Sequence, residues 1–128
     1  MKKILVVEDD PKLFKLLEWR LESLGIYKAI NAEDGIDGLN MAKTEKPDLI
    51  ILDLMLPLMD GFEVCKNLKS DDATKGIPVI ILTSMTMVGD MEKGLSAGAD
   101  DYVTKPYNFE QLLKKIEKYL GKPDKQEG

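Results

Sequence analysis

The sequence predicts an α/β domain in which a doubly wound parallel sheet is covered by helices. Residues 4–7 and 49–52 are unbroken apolar runs of strand length, and each is followed by an acidic residue. Their apolar residues do not alternate with polar ones, which is typical of strands buried on both faces. Five predicted strands alternate with five predicted helices, and right-handed crossovers then give a parallel sheet. A chain of 128 residues has the length of one such domain.

The first strand and helix have clear boundaries. The strand covers residues 4–7, and Asp10 with Pro11 predicts a helix start, because Asp caps free N–H groups and Pro fits the first turn. Gly25 predicts the end of this helix. Trp19 is expected to be partly buried at the edge of its apolar face. The residues expected to form that face recur at helical spacing: Leu13, Phe14, Leu17, Leu21 and Leu24.

The middle of the chain predicts two more strands and two more helices. Residues 26–30 predict a weak edge strand, and Asn31 is expected to cap the second helix, which has Ile36 on its buried side. The third strand ends at Asp53. Asp60 is then expected to cap the third helix.

The last part of the chain completes the alternation. Residues 77–82 predict the fourth strand, and residues 85–96 predict a helix weakened by two glycines. The fifth strand is short and covers residues 100–104. Asn108 with Gln111 predicts a capping box at the start of the last helix. We therefore expect the domain to span 1–121, with a polar tail over 122–128.

Composition and charge exclude several classes of function. The net charge of −5 argues against direct nucleic-acid binding, which needs a clustered basic face. The chain has no histidine, so histidine-based catalysis and metal sites are excluded. The one cysteine, Cys65, cannot form an internal disulfide and is expected to be a small buried hydrophobe. No apolar run is long enough for a membrane span or a signal peptide, so we expect a cytoplasmic protein.

Chemistry-bearing side chains are placed at the ends of four predicted strands: Glu8 and Asp9, Asp53, Thr83, and Lys105. Ligands of such sheets bind beyond the carboxyl ends of the strands, so these groups are expected to meet there. Crowded carboxylates repel one another, and Mg²⁺ bound through oxygens is the usual remedy. An ionised Asp is a nucleophile at neutral pH, while a lysine and a hydroxyl suit phosphoryl oxygens. The sequence therefore predicts an aspartyl phosphate at Asp53.

Four stretches in this order resemble the receiver domain of two-component response regulators, which has the chemotaxis-type, flavodoxin-like fold. They are ILVVEDD at 4–10, LDLMLPLMDG at 52–61, ILTS at 81–84 and GADDYVTKP at 98–106. Each stretch alone is a weak signal, but the four together are specific, and the resemblance covers essentially the whole chain. It implies the strand order 2-1-3-4-5.

The resemblance also implies how the site residues act. Asp53 would accept a phosphoryl group from a histidine kinase or a histidine phosphotransfer protein. Mg²⁺, with Mn²⁺ as the alternative ion, would be bound directly by Asp9, Asp53 and the backbone carbonyl of Met55. Glu8 would contact the ion through water. The protein would be a phospho-acceptor with magnesium-dependent self-phosphorylation and self-dephosphorylation, and not an enzyme.

A conformational switch follows from the same resemblance. Thr83 would hydrogen-bond the phosphoryl group, and Lys105 would pair with it. The peptide bond between Lys105 and Pro106 would be cis, which would aim the lysine at the site. The movement of Thr83 would draw Tyr102 from an exposed to a buried position. This would reshape the surface formed by the helix at 85–96, the fifth strand and the last helix. That surface would then bind an unidentified output protein or a second copy of the chain.

Other functions remain open from the residues. A phosphatase of the haloacid-dehalogenase type needs a second acid two residues after the nucleophile, where this chain has Met55. A receiver-like binding module that is not phosphorylated tends to lack the acids or the lysine, and all of them are present.

Met55 and Met85 would border the path of an attacking water, which predicts slow spontaneous dephosphorylation. The polar tail fits a stand-alone regulator and the receiver part of a longer one equally well.

Overall fold

The computed structural model describes residues 1–54, 59–83 and 96–121. Within these ranges five strands and four helices follow one another along the chain. The elements are β1 (Lys2–Val7), α1 (Pro11–Glu22), β2 (Tyr27–Ala32), α2 (Gly35–Glu45), β3 (Leu49–Asp53), α3 (Gly61–Ser70), β4 (Val79–Thr83), β5 (Asp101–Thr104) and α4 (Phe109–Leu120). Three predictions lie outside the described residues: the helix at 85–96 except for its last residue, the tail at 122–128, and the carbonyl of Met55.

The five strands form one parallel sheet in the order β2-β1-β3-β4-β5. One buried cluster joins α1 and α4 to one face of this sheet, and a second joins α2 and α3 to the other face. The predicted doubly wound sheet and its strand order are therefore confirmed. The order reverses between β1 and β3, which is where sheets of this kind bind ligands.

The starts of the helices were predicted with mixed success. Asp10 caps α1 by accepting a hydrogen bond from the Lys12 N–H, and Asn108 caps α4 in the expected capping box. The expected cap at Asn31 was wrong, because Asn31 lies inside β2 and Asp34 caps α2 instead. The strand is longer than predicted because β2 pairs with β1 up to its end. Long-range pairing has thus overridden a local capping signal.

The apolar face of α1 is narrower than predicted. Phe14, Leu17 and Leu21 are buried, as expected. Leu13 is 49% exposed and Trp19 is 68% exposed, so both expectations of burial were wrong, as was that for Leu24. On a helix, positions 14, 17 and 21 share one side, and the other positions turn away from the sheet. The extra apolar residues therefore form part of the surface.

The packing of α2 depends on its glycines. Ile36 is exposed, against expectation, while Gly35, Gly38 and Ala42 are buried. A Cβ atom on Gly38 would lie 3.1 Å from a Val7 methyl group. The small residues therefore let the helix backbone approach β1 closely.

Candidate functional site

The carboxyl ends of the strands form a small polar cluster. Glu8 follows β1 directly, Asp53 is the last residue of β3, and Thr83 is the last residue of β4. These residues are only 5%, 3% and 5% exposed. Lys105 follows β5, and its backbone N–H donates to the Thr83 carbonyl at 2.6 Å. The structure thus brings together four of the residues that the sequence selected.

Asp53 and Lys105 form the central ion pair of this cluster. The Lys105 ammonium donates a hydrogen bond to Asp53 Oδ2. Burial lowers the pKa of Lys105, but the hydrogen bond to Asp53 and the negative charges of Asp53 and Glu8 outweigh it, so the net pKa is raised. Lys105 therefore stays protonated and places a positive charge beside the carboxylate that ends β3.

Glu8 adds a second buried carboxyl group. Its Oε2 accepts a hydrogen bond from the Asp10 N–H at 3.0 Å. Burial raises the pKa of Glu8 to about 7, and a hydrogen bond with Asp53 adds to this effect, while the Asp10 N–H and the Lys105 charge oppose it. Two adjacent carboxyl groups thus share one lysine. Such a pair favours binding of a proton or a further cation.

The donor set suits a hard divalent cation. Asp9 is exposed and stands outside the buried cluster. Among the described residues no group of three or more Asp, Glu, Cys or His side chains is arranged to hold a metal ion. Glu8 and Asp53 nevertheless place two carboxyl groups side by side, and Mg²⁺ commonly takes one or two carboxylates and keeps several waters. The chemistry of the residues present therefore fits Mg²⁺.

Tyr102 lies on β5, the strand next to β4. It is half-buried, is paired with Ile81 of β4, and packs against the buried apolar cluster on the α2–α3 face of the sheet. The peptide bond between Lys105 and Pro106 is cis, as predicted. The structure thus places Tyr102 at a position between full exposure and full burial.

A cavity that the sequence did not predict opens next to the cluster. It has a volume of about 600 Å³ and lies between α1 and residues 105–109. Glu8 and Lys105 line one part of it, and Leu13 and Leu16 of α1 line another. The signal that could have revealed it is the surplus of apolar residues on α1. A largely apolar groove therefore reaches Glu8 and Lys105.

Comparison with known families agrees with this geometry. Residues 4–117 match the family model described as the response regulator receiver domain. The chain belongs to this family. The resemblance stated from the four sequence stretches is thereby confirmed.

Curated relatives of this receiver domain are longer proteins. The chain is 43% identical over 125 residues to the DNA-binding dual master transcriptional regulator RpaA of Synechocystis. The matched region covers 98% of this chain and 52% of that protein. It is also 43% identical to the alkaline phosphatase synthesis transcriptional regulatory protein PhoP of Bacillus subtilis, over 96% of this chain and 50% of that protein. The receiver domain thus spans about half the length of these curated relatives.

A solved structure links the fold to a metal. The receiver domain of the sensor histidine kinase PA1611 from Pseudomonas aeruginosa is described with magnesium in its active-site cleft. It matches this receiver domain with a TM-score of 0.85 and 32% identity, over 94% of this chain and 98% of that one.

In the described parts of this receiver domain, the helices are too short or too polar to span a membrane.

Proposed function

We propose that this receiver domain is the phospho-acceptor of a two-component system. Asp53 takes the phosphoryl group from a histidine kinase or a histidine phosphotransfer protein. The observation that carries this proposal is the buried carboxylate of Asp53, placed at the end of a central strand between Glu8 and Lys105. A buried charge costs free energy, and a reaction at this carboxylate accounts for its position.

The transfer requires little chemistry from the protein beyond positioning and charge. An Asp53 oxygen attacks the phosphorus, the bond between phosphorus and the donor's imidazole nitrogen breaks, and the imidazole leaves with its electron pair. Lys105 turns from Asp53 to a phosphoryl oxygen, and the Thr83 hydroxyl donates to another. Both groups stabilise negative charge on the transferred group. The same site gives magnesium-dependent self-phosphorylation and self-dephosphorylation.

The metal site is part of the proposal. We assign Asp9, Asp53 and the backbone carbonyl of Met55 as direct ligands of Mg²⁺, with Mn²⁺ as the alternative ion, and Glu8 as a ligand through water. An ion held by these residues would supply positive charge for the phosphoryl oxygens. The two buried carboxyl groups of Glu8 and Asp53 support this assignment.

The output of phosphorylation is a change of surface. Thr83 and Tyr102 are the proposed switch, and the half-buried position of Tyr102 on the strand next to β4 supports a movement of its ring. The affected surface includes β5, α4 and residues 85–96, and it controls binding to an output protein or to a second copy. Such a switch works as a shift between two states that differ by a few kcal/mol.

The setting of the domain is also part of the proposal. The proposed domain covers 1–121, acts in the cytoplasm and does not itself contact nucleic acid. RpaA of Synechocystis is named as a DNA-binding transcriptional regulator. We therefore propose that output in this system is exerted by a separate protein or by an attached output domain.

The test is the intact mass of the chain after incubation with acetyl phosphate and Mg²⁺. We expect a gain of one phosphoryl group, which disappears in the Asp53→Asn variant and without Mg²⁺. An equal gain in Asp53→Asn would contradict the assignment of Asp53. No gain at all, with Mg²⁺ binding shown separately, would favour the receiver-like binding module that is not phosphorylated.

A further inference from the structure

Asn31 makes an unusual set of contacts at the end of β2. Its side-chain Nδ2 lies 2.9 Å from the carbonyl oxygen of Val6, 3.1 Å from that of Glu8 and 3.1 Å from that of Ala32. The residue is half-buried and is paired with Val6 in the parallel ladder between β1 and β2. An NH₂ group has two hydrogens, so these three carbonyl oxygens share the two donors of Asn31, and the side chain has a role beyond filling a position in the strand.

These contacts extend the sheet into the loop that carries the acids. The Glu8 N–H donates to the Ala32 carbonyl at 2.9 Å, which holds one side of the Glu8 backbone. The Asn31 amide holds the other side by donating to the Glu8 carbonyl. Because β2 ends at Ala32, the Asn31 side chain takes the place of a further ladder bond.

The fixed backbone in turn sets the direction of the acidic side chains. Glu8 turns its carboxylate back to accept from the Asp10 N–H at 3.0 Å, so residues 8–10 form a closed turn. The same turn places Glu8 against Asp53 and carries Asp9 directly after it. Without Asn31 the Glu8 carbonyl would lose this donor, and the loop would sample more conformations.

We propose that Asn31 is a positioning residue that holds segment 8–10 in the conformation that binds a divalent cation beside Asp53. This inference rests on the proposed function, because it assumes the metal site. Ordering a loop on binding reduces affinity, and a preorganised loop avoids that cost. Mutation of a group that orients metal ligands without touching the metal typically weakens metal binding by roughly tenfold or more.

The test is calorimetric titration of the full chain with Mg²⁺. We expect Asn31→Ala and the near-isosteric Asn31→Leu to bind Mg²⁺ roughly tenfold more weakly than wild type. Asn31→Thr suits a strand and keeps one hydroxyl donor, so its affinity should lie between these and wild type. Amide hydrogen exchange of residues 8–10 should be faster in the Ala and Leu variants, which tests the positioning without the metal.

Asn67→Ala is the matched control. The Asn67 amide also donates to a backbone carbonyl, that of Glu63 at 2.9 Å, but on the exposed side of α3. This variant should keep the wild-type affinity for Mg²⁺. An equal loss in Asn67→Ala would overturn the inference, because the loss would then reflect general destabilisation.

The outcomes for the metal separate the two proposals. Wild-type protein that binds Mg²⁺, together with Asn31 variants of unchanged affinity, would overturn this inference alone. Wild-type protein that does not bind Mg²⁺ would overturn the metal site in the proposed function and this inference with it. Weaker binding in Asn31→Ala and Asn31→Leu, with partial recovery in Asn31→Thr, supports it.

Discussion

Buried polar residues in the described part of the chain divide into structural and candidate functional groups. Thr74 is buried, but its hydroxyl donates to the Leu68 carbonyl at 2.7 Å, which completes the turn after α3. Glu8 and Asp53 are buried against each other although both are acids. Placing like groups together in a sheet destabilises the fold unless a proton or cation joins them. That cost makes the pair a candidate functional group.

Tyr27 provides a prediction about stability at the residue scale. Among the buried side-chain nitrogen and oxygen atoms of the described residues, only its hydroxyl oxygen has no hydrogen-bond partner, and the residue is 1% exposed. An unpaired buried hydroxyl costs free energy. We expect Tyr27→Phe to raise the free energy of unfolding by about 1 kcal/mol, measured by urea denaturation.

Tyr119→Phe is the control for this change. The Tyr119 hydroxyl donates to the Asp100 carbonyl at 2.7 Å, so its removal should lower stability. A loss of stability in Tyr27→Phe similar to that in Tyr119→Phe would show that the Tyr27 hydroxyl is paired in solution.

At the element scale, one buried carboxylate fastens α4 to β5. Asp101 Oδ1 lies 2.9 Å from the Lys115 ammonium, and Oδ2 lies 3.2 Å from that of Lys118. The Tyr119 hydroxyl oxygen lies 3.2 Å from the same Oδ2. The sequence places Asp101 in the predicted fifth strand and indicates no partner for it. Its partners come from a helix that begins eight residues later, so the sequence alone did not show them.

This network gives a prediction about pH and stability. Burial raises the pKa of Asp101, but hydrogen bonds from Lys115, the Tyr102 N–H and Lys118 outweigh it, so the net pKa lies below the ordinary 3.8. The stabilisation is then present above pH 3.8 and is lost as pH falls through the folded-state pKa. We expect Asp101→Asn to lower the free energy of unfolding at pH 7, because the two lysines lose their charged partner. The loss should be only about 1 kcal/mol, because water screens the partly exposed lysines.

The difference between Asp101→Asn and wild type should shrink as pH falls below 3.8. Urea denaturation at pH 7 and at several acidic pH values measures it. Asp72→Asn is the control, because the ion pair of Asp72 with Lys75 is exposed and should contribute little at either pH. A difference that grows at acidic pH would contradict the assigned direction of the pKa shift.

For the whole molecule, the groove between α1 and residues 105–109 reaches Glu8 and Lys105, the two neighbours of Asp53. Apolar side chains of α1 form one wall, and Lys105 and Glu8 lie at the site it leads to. We propose that the phosphohistidine donor of the proposed function covers this groove when it meets Asp53. We therefore expect Leu16→Asp to slow phosphotransfer from a histidine kinase at least tenfold, since a buried unpaired charge costs more than 1.4 kcal/mol, on the order of a factor of ten.

The measurement compares two phosphoryl donors. A kinase identified by phosphotransfer profiling should phosphorylate Leu16→Asp slowly, while labelling by acetyl phosphate should keep the wild-type rate. Ile36→Asp is the matched control, because Ile36 is an exposed apolar residue of α2 away from the groove. Equal rates for Leu16→Asp and wild type with the kinase would place the donor elsewhere.

Much of the candidate site was predictable, because it lies where each strand ends. An apolar run of strand length followed by a polar residue is a local pattern, and a parallel topology brings the ends of such runs to one edge. Glu8, Asp53, Thr83 and Lys105 could therefore be selected together. Asn31 could not, because its role depends on how far β2 pairs with β1.

The sequence by itself determined the order of the elements, the caps at Asp10 and Asn108, and the polar residues at the strand ends, because each follows from neighbours along the chain. Only the tertiary structure decided which apolar residues of α1 are buried, where the groove opens and which helix residues pair with Asp101. These depend on contacts between segments far apart in sequence. Their free energies arise only when the helices pack on the sheet, so no local pattern records them.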